Sequence, residues 1–139
     1  MTTRQLLPNR RESVTQKIRV GNGRTLYLST QAATPPLELF LRVRGTDCTA
    51  EIVALYDCLA RLASLALQYG CPVQTVGTML QGVTVEPAGL VTGHPTMHFC
   101  RSLPDAIGQH LLSLCPDVSP LTTKEASRPL LPDKGDSPC

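Results

Sequence analysis

The chain contains no tryptophan, and its 139 residues include only two phenylalanines and three tyrosines. A core must therefore be built from aliphatic side chains, for which the hydrophobic fraction of 42% is sufficient. No apolar run reaches the ~20 residues that a membrane-spanning helix needs, and the N-terminal residues lack the apolar segment of a signal peptide. These absences predict a small cytoplasmic protein that does not associate with membranes.

Paired cysteines and a strong charge of either sign are also missing. The six cysteines are never spaced as Cys-X-X-Cys, and we expect them to be reduced. A formal net charge of +2 is too small for a protein held on duplex DNA by many phosphate contacts. His94, His98 and Cys100 have no regular ligand spacing because Pro95 disfavours a helix there. We therefore expect no metal and no other cofactor.

Three segments in the first third of the chain alternate between apolar and polar residues, as half-buried strands do. They are residues 14–20, 24–29 and 37–44. Gly21-Asn22-Gly23 separates the first two, and these residue types favour a tight hairpin turn. The polar residues 1–12 are expected to form a flexible arm.

Helical spacing of apolar residues begins at Ala50 and continues to Tyr69, with Asp47 or Thr49 as the cap. A shorter helix is predicted over 72–80. A third starts after Ser102, whose hydroxyl forms a capping-box pattern with Asp105. Residues 116–139 hold five of the twelve prolines and show no periodicity, so we expect a disordered tail.

The order of these elements predicts an α+β domain over residues 13–115: an antiparallel sheet of about three strands with helices on one face. Such a small sheet is marginally stable alone, since one face and both edges stay uncovered. A homo-oligomer is therefore expected, a dimer or a larger assembly.

Four segments, in order, resemble the TSCPD domain family. Residues 100–105 read Cys-Arg-Ser-Leu-Pro-Asp and are similar to the Thr-Ser-Cys-Pro-Asp signature, with Arg101 and Leu103 in place of its Thr and Cys. Residues 81–89 resemble the family's Gly-Thr-Arg-Phe-Glu-Pro-Ser/Ala-Gly segment. Residues 65–72 resemble the end of its helix, and the hairpin around residues 17–20 resembles its first strands.

The resemblance implies an association with ribonucleotide reduction, because this domain occurs near the C-terminus of adenosylcobalamin-dependent ribonucleotide reductases. It also occurs alone in short bacterial and phage proteins. It does not imply the reaction itself, since radical chemistry on a ribose needs a large barrel, a corrin site and a reducing cysteine pair. We therefore expect a protein that is not an enzyme, in a bacterium or a phage-infected host.

Two neighbouring segments are predicted to bind an anionic ligand. At the start of the third helix, Arg101, Ser102 and Asp105 lie where unpaired backbone N–H groups attract anions; the alternative is that they only cap the helix. The preceding Gly-rich and Pro-rich loop contributes Glu86, Gly89, Thr92 and His94. Its alternative role is a rigid turn.

A third candidate is the set of side chains on the solvent side of the strands, which we call the outer sheet face. Basic groups interleaved with aromatic rings are typical of surfaces that bind nucleotides or single strands. A subunit interface and an ordinary solvated surface are the alternatives. The set comprises Lys17, Arg19, Tyr27, Phe40, Arg42 and Arg44.

These features favour a non-catalytic protein that binds a nucleotide or a nucleotide-derived signal, such as a phage-type protein that sequesters cyclic nucleotide immune signals. An accessory or regulatory subunit of a ribonucleotide reductase is the first alternative. The second is a protein-interaction module that uses the outer sheet face.

Overall fold

The computed structural model describes residues 3–21 and 23–115. The tail expected to be disordered, at 116–139, lies outside the described residues. The elements in chain order are β1 Ser13–Val20, β2 Arg24–Gln31, β3 Leu39–Gly45, α1 Ala50–Gln68, α2 Val73–Leu80, β4 Gly89–Thr92, β5 Phe99–Cys100 and α3 Leu103–Ser113. The predicted α+β class and the antiparallel sheet are confirmed.

The sheet has five strands in the order β3-β2-β1-β4-β5, so the expectation of about three strands was wrong. Of the two further strands, β4 lies in the segment interpreted as a loop, residues 83–95, and β5 lies just after it. β4 pairs with β1 through Arg19 opposite Thr92 and Val20 opposite Val91. Pairing of β4 with residues 99–100 then adds β5. These strands have four and two residues, too few for an alternating pattern to be visible in the sequence.

Strand alternation determines the two faces of the sheet. Ile18, Leu26 and Leu28 are each no more than 1% exposed and face the helices. Helix α1 packs on β3, and α2 packs on α3. Because the helices lie on one side, the side chains of opposite parity in β1 to β3 remain on the outer sheet face.

The start and end of α1 follow from its flanking residues. The Thr49 hydroxyl accepts a hydrogen bond from the Ile52 amide at 3.2 Å, which identifies the cap among the two candidates. Gly70 ends the helix with a φ of +100°, a conformation that glycine adopts without steric cost. In the part of the chain that the structure describes, no helix is both long and apolar enough to cross a membrane.

Helices α2 and α3 approach each other through two glycines that the sequence pattern did not single out. A Cβ placed on Gly108 would lie 2.6 Å from the Gly77 carbonyl oxygen. A Cβ on Gly77 would lie 2.9 Å from Cγ of Leu112. The absence of side chains at these two positions therefore allows the close contact of the two helices.

The free edge of β3 is partly closed by a side chain of α1. Ser64 Oγ accepts a hydrogen bond from the Leu39 amide at 2.8 Å and donates one to the Leu39 carbonyl at 3.0 Å. Both backbone groups of Leu39 are thus paired, although β3 has no neighbouring strand on that side.

The N-terminal arm contacts the folded domain at several points. The Gln5 amide donates to the Gln68 carbonyl at 2.8 Å, and Arg4 Nε donates to the Gln68 side chain at the same distance. Arg11 forms an ion pair of 2.6 Å with Glu38, which is 8% exposed. These contacts connect the arm to the end of α1 and to the segment just before β3.

Candidate functional site

The outer sheet face brings its six predicted residues together on three adjacent strands. The pairing register places Tyr27 between Lys17 and Arg42 in one row across the sheet. In the next row, residue 25 lies between Arg19 and Arg44. Directly opposite residues have Cβ atoms about 5 Å apart. The four cationic side chains therefore form one continuous positive surface.

No carboxylate lies within this face of the sheet. Among the described residues of β1 to β3, the outward positions hold only basic, hydroxyl, amide and aromatic side chains. Lys17 Nζ lies 5.8 Å from the centre of the Tyr27 ring, a distance that permits a cation–π interaction. Phe40 is 51% exposed and offers a second ring to solvent. The surface thus combines phosphate-binding cations with rings on which a base can stack.

An open groove of about 930 Å³ runs along this surface beside β3. Its floor comes from the outer sheet face, and its wall comes from the first two turns of α1 and the residues before it. The one carboxylate in the lining is Asp57, on that wall. A volume of this size accommodates a ligand as large as a nucleotide. The lining includes Thr15, Tyr27, Phe40, Arg42, Arg44 and Thr49.

Strands β4 and β5 extend this side of the sheet with residues that sequence reasoning missed or assigned elsewhere. Thr92, predicted to bind a ligand with the loop, lies opposite Arg19 and continues its row. Leu90 and Phe99 face each other across β4 and β5 and are 72% and 55% exposed. The sequence carries no alternation that could have found them, because Leu90 and Val91 are both apolar.

The start of α3 is capped as predicted, and its donors are occupied by the chain itself. The Ser102 hydroxyl accepts a hydrogen bond from the Asp105 amide at 2.9 Å and donates one to the Val83 carbonyl at 2.6 Å. The Asp105 carboxylate accepts from the Gly82 amide at 2.7 Å and from the Arg101 amide at 2.8 Å. Since Ser102 is 0% exposed and Asp105 3%, these polar groups lie inside the protein.

Arg101, the residue predicted to hold a phosphate there, is exposed. Its guanidinium has no hydrogen-bond or ion-pair partner among the described residues, while its backbone carbonyl accepts from the Val85 amide at 3.2 Å. Arg101 is therefore available to solvent beside a helix terminus whose flanking amides are already paired.

The four predicted loop residues do not converge on one point. Glu86 is exposed and follows Val85, which pairs with the Arg101 backbone. Gly89 lies in β4, opposite Cys100 in β5. The other two lie elsewhere: Thr92 belongs to the outer side of the sheet, as described above, and His94 is only 9% exposed. The structure thus places the first two near the start of α3 and separates the last two from them.

His94 takes part in a buried network with α3. His94 Nδ1 accepts hydrogen bonds from the amides of Thr96 and Met97 at 3.1 and 3.0 Å. Its proton is therefore on Nε2, which donates to His110 Nδ1 at 3.0 Å. Burial lowers the pKa of His94, and it lowers the pKa of His110 to about 4. Both rings are accordingly neutral at pH 7.

The candidate residues for nucleophilic and metal chemistry are a buried thiol and the His, Cys, Asp and Glu side chains. Burial raises the pKa of the Cys100 thiol, which keeps it protonated and weakly nucleophilic. Within residues 3–21 and 23–115, no three His, Cys, Asp or Glu side chains are grouped as metal ligands.

Comparison with known proteins assigns the chain to a family. The sequence model of the TSCPD domain matches residues 1–114. A vitamin B12-dependent ribonucleotide reductase from Agrobacterium fabrum is 33% identical over 110 residues, which are 78% of this chain and 8% of the relative. No solved structure matches significantly.

Two further relatives have the same description. A vitamin B12-dependent ribonucleotide reductase from Streptantibioticus cattleyicolor is 28% identical over 88% of this chain and 20% of its own length. The one from Streptomyces coelicolor is 27% identical over 88% of this chain and 12% of its own. This chain therefore spans a small part of the relatives that it matches, and it belongs to the TSCPD domain family.

Proposed function

We propose that this chain is a non-catalytic module that acts beside a ribonucleotide reductase. The observation that carries the proposal is the similarity to vitamin B12-dependent reductases over 78% or more of this chain and 20% or less of each relative. A segment of that size is a domain of the larger enzyme rather than its catalytic body. The raised pKa of the buried Cys100 thiol is consistent with a non-catalytic role.

The chemistry that we assign to the module is nucleotide binding on the outer sheet face. Four cations without a carboxylate on the same face suit a phosphate group, and the rings of Tyr27 and Phe40 suit a base. The start of α3 is the weaker candidate, since a buried carboxylate, that of Asp105, already accepts hydrogen bonds from the Gly82 and Arg101 amides there.

The reductase association is tested by mixing the full chain with a purified vitamin B12-dependent ribonucleotide reductase. Sedimentation velocity should show a complex, and reductase turnover should change its dependence on nucleotide concentration. The control is the chain in which the exposed Leu90 and Phe99 are replaced by serine. It distinguishes reductase contacts made by β4 and β5 from reductase contacts made by the cationic side chains of β1 and β3. Failure to co-sediment, together with unchanged turnover, would remove the accessory role.

The ligand is tested by calorimetric titration with ATP, dATP, a cyclic dinucleotide and inorganic tripolyphosphate. We expect a micromolar dissociation constant for at least one nucleotide, corresponding to about 8 kcal/mol of binding free energy. Tripolyphosphate should bind at least tenfold more weakly because it has no base to stack.

Preference for the cyclic dinucleotide, with its recovery intact after denaturation of the protein, supports sequestration of a nucleotide signal. Equal binding of tripolyphosphate and nucleotides contradicts base recognition. The same titration followed by chromatography reveals turnover, which contradicts the non-catalytic assignment.

A further inference from the structure

Helix α1 has two apolar surfaces, and only one of them packs in the core. Ala60, Ala63 and Leu67 are buried against the sheet. On the opposite side, five uncharged side chains recur at alternating spacings of three and four residues, so they share one helix face. We call this set the α1 stripe, and it comprises Leu55, Cys58, Leu62, Leu65 and Tyr69.

The α1 stripe is open to solvent along its whole length. Leu55 is 59% exposed, Leu62 66%, Leu65 38% and Tyr69 46%, and Cys58 is exposed as well. A helix that is apolar on two opposite sides needs a second packing partner. A contiguous apolar patch of this kind on a small domain typically marks an interface.

The spacing of the stripe indicates that the partner is another helix with the same pattern. Alternation of three and four residues is the seam of a two-helix coiled coil. Four of the five members are also symmetric about position 60, with Tyr69 outside this symmetry. Leu55 and Leu65 lie five residues on either side of position 60. Cys58 and Leu62 lie two residues on either side. An antiparallel second copy of α1 thus places Leu55 against Leu65 and Cys58 against Leu62.

The charges beside the stripe are centred one residue from the same point, since the midpoint of Asp57 and Arg61 is position 59. Asp57 and Arg61 lie along one flank of the stripe, with side chains 58% and 75% exposed. Within one helix they are 3.6 Å apart, a weak surface pair. In an antiparallel pair related by a two-fold axis, each flank faces the same flank of the other copy. Asp57 of one copy then lies beside Arg61 of the other, twice per dimer.

We propose that two copies of this chain form an isologous dimer through antiparallel packing of their α1 stripes. The apolar layers exclude water at the centre, and the two Asp57–Arg61 pairs determine register and orientation. The four cations of the outer sheet face stay accessible in this dimer, because they lie on the other side of the sheet from α1. The two sites share one residue, since Asp57 also lies on the wall of the groove. Leu62 lies outside that lining, so a substitution there tests the dimer without altering the nucleotide site.

Sedimentation equilibrium on the full chain tests the dimer, with Leu62→Glu as the disrupting variant. The wild type should be dimeric at about 0.1 mM, a concentration well above a micromolar dissociation constant. Leu62→Glu buries an unpaired charge and should weaken association by about a hundredfold or more. Its circular dichroism should match the wild type, because Leu62 does not belong to the core.

Met79→Glu is the matched control. Met79 is 76% exposed on α2, so it offers the same kind of substitution outside the stripe. It should leave the dimer intact. A monomeric wild type overturns the proposal, as does a dimer that is indifferent to Leu62→Glu or equally sensitive to Met79→Glu.

Charge reversal tests the antiparallel register. Asp57→Arg alone and Arg61→Asp alone each place like charges opposite each other in a homodimer and should weaken it about tenfold. When the two variants are mixed, a dimer with one chain of each kind has opposite charges at both flanking pairs. The mixed dimer should therefore form in preference to both homodimers, which native mass spectrometry with one variant isotopically labelled can quantify. Mixed and pure dimers in statistical proportions contradict the register.

Cross-linking of Cys58 provides a distance. Cys58 of the two copies would be offset by four residues, roughly 6 Å along the axis, on helices roughly 8–10 Å apart. A short bis-maleimide should therefore join Cys58 to Cys58, as identified by peptide mapping. Cys58→Ser should abolish that product and leave the sedimentation dimer unchanged. A cross-linked dimer joined only through other cysteines contradicts the geometry.

Discussion

The outer sheet face and the start of α3 both contain the residue types that bind anions, but they differ in what surrounds them. On the outer sheet face, Lys17, Arg19, Arg42 and Arg44 lie on adjacent strands with no carboxylate among the outward positions. At the start of α3, Asp105 is buried and accepts hydrogen bonds from two backbone amides. At the start of α3 the amides are thus paired with a carboxylate of the same chain, whereas the cations of the outer sheet face are exposed to solvent.

Asp105→Ala is the sharpest way to break this comparison. The substitution leaves the backbone amides of Gly82 and Arg101 without their acceptor and removes one of the two acceptors of the Gln109 side chain. We expect the free energy of unfolding to fall by about 3 kcal/mol or more, measured by urea denaturation. Glu86→Ala removes an exposed carboxylate nearby and should change stability by less than about 0.5 kcal/mol.

A stable Asp105→Ala variant that binds nucleotides more tightly than the wild type would reverse the comparison. The start of α3 would then be a ligand site, and the Asp105 carboxylate would take the place of an anionic ligand in the wild type.

The buried histidine pair gives the stability of the α3 region a pH dependence. Burial lowers the pKa of His110 from 6.5 to about 4, so protons bind more strongly to the unfolded chain. Its contribution to stability is complete above pH 6.5 and is lost as the pH falls towards 4, for a total of about 3 kcal/mol.

The measurement is the urea midpoint between pH 7 and 4, compared with His110→Gln. The wild type should lose more stability over this interval than the variant. Parallel curves would show that protonation of His110 costs nothing in the folded protein.

Arg42→Glu tests the outer sheet face. It should affect stability less than Asp105→Ala does and should act mainly on nucleotide binding. Because Arg42 lies beside Tyr27 on the outer sheet face, we expect nucleotide affinity to fall by about tenfold, or 1.4 kcal/mol. The unfolding free energy should change by less than about 0.5 kcal/mol. Calorimetry and urea denaturation on the same preparation separate the two. Unchanged nucleotide binding, accompanied by loss of assembly, would instead favour an interaction module.

Arg101→Ala should have the smallest effect of all. Its side chain has no partner in the described part of the chain, so we expect stability within about 0.5 kcal/mol of the wild type. Nucleotide affinity should also change less than twofold, measured by the same calorimetric titration. A loss of affinity larger than that of Arg42→Glu would transfer the site to the start of α3.

Sequence patterns predicted the structural features that depend on residues close together in the sequence. The hairpin of β1 and β2, the Thr49 cap and the capping box of Ser102 and Asp105 depend on neighbouring residues, so they are visible in one dimension. The six members of the outer sheet face were also predictable, because strand alternation assigns each residue to a side. Their use by a ligand remains a prediction.

Features that depend on contacts between distant segments were not predictable. β4 pairs with the distant β1, β5 pairs with β4 in turn, and His94 meets His110 across 16 residues. The contact of Gly77 with Gly108 needs the two helices to be placed first. The predicted loop site failed to converge for the same reason: residues close in sequence were distributed to opposite faces of the sheet.

The hydroxyl of Ser64 affects how readily the edge of β3 can pair with a strand of another chain at high concentration. An uncovered strand edge is a template on which identical chains add one after another into fibres. By holding both backbone groups of Leu39, Ser64 removes the first position of that template at the end of β3 nearest the N-terminal arm. A single serine thereby protects one position of the β3 edge against the addition of a further strand.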